Sequence, residues 1–160
     1  MAVGVYVIFD SKYGNTKAVA EQIAKGMREA EGIGVEIDYA KSVDPSKLRC
    51  CDGLVVGAPN HMGKPSRAII KFVDGFSKLD LTARYAAAFD TYFQRQRYFM
   101  KATWKLEKNL SCKLPNAKLL PGFSAKVTGV NGPLAEGEME RAREFGKATA
   151  KLMLSQARTC

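Results

Sequence analysis

The sequence predicts an α/β doubly wound three-layer sandwich, a five-stranded parallel sheet with helices on both faces. Three observations carry this. Short apolar runs are separated by helical stripes in the order β-α-β-β-α-β-α-β-α. Residues 3–9 (VGVYVIF) and 53–57 (GLVVG) are apolar almost throughout, as parallel strands buried on both faces are. The chain has 160 residues, with no internal repeat, low-complexity tract or linker, so residues 1–160 are expected to form one domain.

The first strand, 3–9, leads after Thr16 into a helix whose stripe is Val19, Ile23 and Met27. Residues 35–39 (VEIDY) alternate, as a strand nearer the sheet edge does. The next connection, Asp44-Pro45-Ser46-Lys47-Leu48, has room for one short helix. The third strand, 53–57, is closed by Ala58-Pro59. Ser66 is placed to cap the second long helix, with stripe Ile69, Val73 and Phe76. The fourth strand is 85–89 (YAAAF), and its helix carries Phe99, Thr103, Leu106 and Leu110. The fifth strand is expected within 118–127. Ala142, Phe145, Thr149, Leu152 and Met153 mark the last helix.

Hydrophobic residues make up 46% and charged residues 26%, ordinary values for a globular protein. No apolar run reaches the ~18 residues of a membrane helix. Met1-Ala2-Val3-Gly4-Val5 lacks the basic lead and long apolar stretch of a signal peptide, so the expected location is cytoplasmic. Cys50, Cys51, Cys112 and Cys160 form no C-x-x-C pair and no zinc set with His61, so no metal site is expected. Cys50-Cys51 reads either as a vicinal redox pair or, preferably, as two small semi-buried residues leading into a strand.

The net charge is +9, and residues 91–118 supply +6 of it through Arg95, Arg97, Lys101, Lys105, Lys108, Lys113 and Lys118 against Glu107. A concentrated basic face suits an acidic partner or an anionic substrate. It equally suits nucleic acid, or is a solvated helix face. With no nucleic-acid motif beyond charge, nucleic acid is not the expected partner.

In such sheets ligands bind outside the carboxyl ends of the strands. The first loop there is Asp10-Ser11-Lys12-Tyr13-Gly14-Asn15-Thr16. Gly14 and Asn15 suit a tight turn, and the following amides can converge above a helix N-terminus, with Ser11 and Thr16 as hydroxyl donors. That set suits a phosphate monoester. The same residues also serve as a turn with an N-cap at Asn15 or Thr16. The pattern is neither G-x-G-x-x-G nor a Walker motif, which counts against dinucleotide and ATP sites.

The string S-K-Y-G-N-T after V-Y-V-I-F-D resembles the phosphate loop of the flavodoxin family. The resemblance extends over nearly the whole chain, including Thr128-Gly129-Val130-Asn131-Gly132-Pro133-Leu134, which looks like archaeal-type members. It implies the sheet order 2-1-3-4-5 and flavin mononucleotide (FMN) as cofactor. Ser11, Lys12, Tyr13, Gly14, Asn15 and Thr16 would hold its phosphate, with Tyr13 in place of the pattern's second hydroxyl residue. Lys17 would add charge there or remain a solvated helix lysine.

The segment G-A-P-N-H-M-G resembles the family loop that lies along the flavin ring. This implies that Pro59, Asn60, His61, Met62 and Gly63 border the ring, with His61 or Met62 over one face and Asn60 at an edge. Asp90, Thr91, Tyr92 and Phe93 would form the loop over the other face, by stacking of Tyr92 or Phe93. Asp90 would meet the ribityl chain or a ring edge. No catalytic residue is expected; His61 is the only histidine, and no partner for it is readable.

Family members that carry electrons usually surround the flavin with acidic residues. Here the fourth strand's loop continues as Gln94-Arg95-Gln96-Arg97-Tyr98. Positive charge beside the ring would favour its reduced anionic form and raise its potential. The resemblance therefore implies electron transfer between redox partner proteins, here acidic ones. The alternative is an FMN-dependent oxidoreductase acting on a quinone, azo compound or porphyrinogen, with Arg95, Arg97 and Lys101 holding anionic groups.

Overall fold

The computed structural model describes residues 2–93 and 101–157. Its strands are β1 (Val3–Phe9), β2 (Ile33–Tyr39), β3 (Gly53–Pro59), β4 (Tyr85–Tyr92), β5 (Lys118–Leu119) and β6 (Phe123–Lys126). All pair in parallel, in the order β2-β1-β3-β4-β5, with β6 also on β4. The helices are α1 (Asn15–Arg28), α2 (Arg67–Asp74), α3 (Ala102–Lys113) and α4 (Glu138–Ala157). The doubly wound α/β class and the order 2-1-3-4-5 are as predicted.

The differences have local causes. The expected fifth strand is split: β5 pairs with Tyr85 and Ala86, and β6 with Phe89 to Tyr92. Between them lies Pro121, which has no N–H to give the ladder. β2 starts two residues before the alternating run, because Gly34 opposite Gly4 continues the pairing without an apolar side chain to signal it. Residues 45–48 form a 3-10 turn, where the Asp44 carboxylate accepts the Ser46 N–H at 3.0 Å and Leu48 enters the core.

The sheet has a core on each face. Val5, Val7, Phe9, Ala87 and Phe89 pack with α1 and α4; Ile8, Leu54, Val56, Ala86 and Ala88 pack with α2 and α3. The alternation along β4 follows the two-residue period of a strand. α1 and α4 approach backbone to backbone, since a Cβ on Gly26 would lie 2.0 Å from the Arg143 carbonyl oxygen and one on Gly146 2.1 Å from that of Ile23.

Val19, Ile23, Met27, Ile69, Val73, Phe76, Thr103, Leu106 and Leu110 are buried as their stripes predict. Phe99 lies outside the described residues, as do Gln94, Arg95, Gln96, Arg97, Tyr98 and Cys160. On α4 the stripe is corrected: Leu152 is exposed and Phe145 half-buried, and Glu138, Gly146 and Ala150 are buried with Ala142, Thr149 and Met153. Ser66 sits at the N-cap of α2, but its hydroxyl makes no capping bond. Cys51 is buried and Cys50 exposed, and burial pushes the Cys51 thiol up to about 12, which makes it a poor nucleophile. No helix among the described residues is long and apolar enough to cross a membrane.

Candidate cofactor site

Loops from the carboxyl ends of β1, β3 and β4 meet at one end of the sheet, with a fourth after β6. After β1, Gly14 takes φ 90°, a left-handed conformation that suits a residue without Cβ, and turns the chain into α1. The Ser11 hydroxyl accepts the Gly14 N–H at 3.1 Å and closes the turn. The first intrahelical bond runs from the Ala18 N–H to the Gly14 carbonyl at 3.0 Å. The N–H groups of Asn15, Thr16 and Lys17 therefore begin the helix with no carbonyl of their own to meet. No acidic side chain lies in this first turn, and nothing lies within 4 Å of where a Gly14 Cβ would stand.

This donor set fits a phosphate, and three neighbouring side chains make further contacts. Thr16 is buried, and its hydroxyl pairs with that of Thr91 at 2.7 Å, so it ties α1 to β4 while its N–H opens toward the loop. The Lys17 ammonium lies over the Tyr39 ring, 5.9 Å from its centroid. Lys12 likewise lies over the exposed Tyr13 ring, at 5.3 Å.

After β3 the chain makes a tight hairpin. His61 N–H donates to the Lys64 carbonyl at 2.8 Å, and Lys64 N–H returns to that of His61 at 3.1 Å. The two central residues, Met62 and Gly63, have φ of 54° and 83°, the signs of a type I′ turn. Asn60 shapes this turn: its side-chain oxygen accepts the Gly63 N–H at 2.7 Å, while its own N–H donates to the Thr91 carbonyl at 2.9 Å. The hairpin holds His61 in solvent and projects Met62, which is 97% exposed. Pro59, beside Thr91 in the sheet, is half-buried.

Thr91 thus touches both loops, through its hydroxyl and its carbonyl. Tyr92 and Phe93 follow it half-buried, at the mouth of the site. Asp90 is different. It is fully buried, on the face of β4 that carries Ala86 and Ala88, and its Oδ2 accepts the Thr103 N–H at 3.0 Å. Burial pushes its carboxyl above the ordinary range, and the nearby Ser124 hydroxyl and the Thr103 N–H partly oppose this. Asp90, expected at the ribityl chain or a ring edge, is turned by strand alternation beneath α3, where its Oδ2 holds the helix's first turn.

The loop 128–134, legible in the sequence only as a mark of fold, borders the turn into α1. Its ends are joined by the Thr128 N–H and hydroxyl, both donating to the Pro133 carbonyl at 2.9 and 3.0 Å. The Asn15 amide packs against Gly132, 2.4–2.7 Å from where a Cβ would stand. The run Asn-Gly-Pro was the available signal of a shaped loop. The Thr16–Thr91 pair had none, since 75 residues separate its members.

Comparison with known proteins agrees with this geometry. A family model described as a flavodoxin domain matches residues 6–120. A flavodoxin of Aquifex aeolicus is 39% identical over 70 residues, 44% of this chain and 38% of that one. One of Clostridium saccharobutylicum is 29% identical over 87 residues, 54% of each. The chain thus spans about half the length, or less, of these curated relatives. Among solved structures, oxidised flavodoxin 1 from Bacillus cereus superposes with a TM-score of 0.75 at 26% identity, over 92% of this chain and 97% of that one.

Proposed function

The chain belongs to the flavodoxin family, whose cofactor is a flavin, and from that premise we propose that it binds FMN at the strand ends and carries electrons between protein partners. The observation that carries this reading is the first turn of α1, where the N–H groups of Asn15, Thr16 and Lys17 stand beside the Ser11-closed loop without carbonyl partners. Donors fixed before the ligand arrives cost little to organise, and the helix dipole favours the dianionic phosphate.

FMN would supply the redox chemistry; the protein would supply position, shielding and field. In this reading Ser11, Lys12, Tyr13, Gly14, Asn15 and Thr16 form the phosphate end. Pro59, Asn60, His61, Met62 and Gly63 border one side of the ring, and Thr91, Tyr92 and Phe93 the other. Met62 is the side chain most able to lie across a ring, being held clear of the surface by its hairpin. Asn60 acts as the brace of that hairpin, because its oxygen is already engaged. No side chain need take or give a proton, so no catalytic residue is assigned. One domain spanning residues 1–160, a cytoplasmic setting and acidic protein partners complete the reading.

Anaerobic stepwise reduction of the FMN-loaded protein, followed by absorbance, tests the carrier role. Two resolved one-electron stages are expected. Passage of both electrons together would point instead to an oxidoreductase with a small-molecule substrate.

A further inference from the structure

α3 presents an outward stripe with no internal partner. Trp104, Lys105 and Lys108 are exposed and spaced at i, i+1 and i+4, which places them on one side of the helix, while Lys101 at the N-cap is half-buried within electrostatic reach of Asp90 and Glu107. Their opposites, Ala102, Thr103, Leu106 and Leu110, are buried. Trp104, the only tryptophan in the chain, is 57% exposed, and among the described residues its ring stacks on nothing and meets no cation. Lys105 and Lys108 are exposed and in no ion pair among the described residues, and the neighbouring acid, Glu107, turns inward against Gly122.

We propose that this stripe is a docking surface for an acidic protein, with Trp104 as its anchor and Lys105 and Lys108 as its charged rim. A large aromatic within a ring of charge is the anatomy of an interface hot spot. Lys105 and Lys108 have no carboxylate paired to them among the described residues, so an acidic partner meets their charge unopposed. From Trp104 to Lys108 the stripe is about 6 Å long, four rises of ~1.5 Å each. That matches a focused protein contact better than a track along nucleic-acid phosphates. Its position also serves transfer: Asp90 pins the N-terminus of α3 to β4, directly before Thr91 and Tyr92 at the mouth of the site. The proposal rests on the carrier reading for its purpose but not for its detection.

Trp104 reports its own contact by fluorescence. The chain is titrated with poly-L-glutamate, with a single-stranded DNA oligonucleotide and with phosphatidylglycerol vesicles, in flavin-free and FMN-loaded samples. Poly-L-glutamate is expected to shift the emission to the blue at about 50 mM salt, and about 0.5 M salt to reverse the shift. The double variant K105E/K108E is expected to weaken that response by about tenfold or more, whereas K25E/K151E, the same charge change on the far side, changes it by less than about twofold. No shift, equal losses in the two variants, or a tighter response to DNA or vesicles would overturn the proposal. A protein that fails to load FMN would sink the cofactor reading, while the flavin-free titration still decides the docking surface.

Discussion

The two helical layers treat charge in opposite ways. On the α1/α4 side, Arg143 and Lys147 both reach Glu29 across the helix interface, and further pairs join Arg141 to Glu138, Arg143 to Glu140 and Lys147 to Glu144. Beneath them the helices touch through Gly26 and Gly146. On the α2/α3 side, no described lysine or arginine of either helix belongs to an ion pair, and a tryptophan stands in solvent. Surface ion pairs contribute little stability each, so the contrast concerns partners more than folding. One layer pairs several of its charges across its helix interface; among the described residues the other pairs none.

Packing should break first on the closed side. Gly146→Ala places a methyl group against the Ile23 carbonyl, and neither helix can yield without moving its neighbour. A loss of about 3 kcal/mol is expected in urea unfolding, the upper part of the range for overpacked cores. The same substitution at Gly75, which ends α2 in open space at a helical φ, should be neutral or stabilising by about 0.5 kcal/mol. Similar losses at both sites would erase the distinction between the layers.

The Thr16–Thr91 bond belongs to the site rather than to either layer. Thr16→Val leaves a buried hydroxyl on Thr91 unpaired and should cost about 1–2 kcal/mol. The double variant T16V/T91V should cost less than the two single losses combined, because it removes both polar partners.

Two carboxyls should give pH responses of opposite sign. Burial raises the folded pKa of Asp90 above its ordinary 3.8, so its neutral form fits the fold better. Its contribution should decline as pH rises from about that value through the folded pKa, and Asp90→Asn should remove this decline. Lys101 and Glu107 stand close enough to sense the change: Asp90's charge, after burial, holds the Glu107 carboxyl up. Glu29 behaves in reverse. Its hydrogen bond from Arg143 lowers its pKa from the ordinary 4.5, so its contribution is present above that value and is lost as pH falls through the folded pKa. Glu29→Gln should flatten the acid limb, the smallest effect of the set. Unfolding free energies across a pH series, variant against parent, check both signs.

What was readable in the sequence follows from the range of each signal. Strand and helix periods are local, so the sheet and most stripes were legible. Leu152 was misplaced because α4 packs by way of Gly146, a residue with no side chain to mark the stripe. The loop letters S-K-Y-G-N-T located the tight turn into α1, but not that Thr16 pairs with a residue 75 positions away. Asp90 was drawn toward the cofactor by its place in a loop motif. The structure extends β4 through Tyr92, and the strand's two-residue period then decides which way Asp90 points. Charge imbalance in 91–118 was visible as a sum, whereas the absence of an ion pair at Lys105 and Lys108 among the described residues required knowing where the carboxylates lie.

The central claim is that the first turn of α1 holds the phosphate of FMN. Titrating the flavin-free protein with FMN and, separately, with riboflavin tests it directly, because the two ligands differ only in that phosphate. Binding of FMN with a Kd on the order of 1 μM or tighter is expected, and riboflavin should bind at least about 100-fold more weakly. Equal affinity for both, or no saturable binding of FMN, would contradict the account.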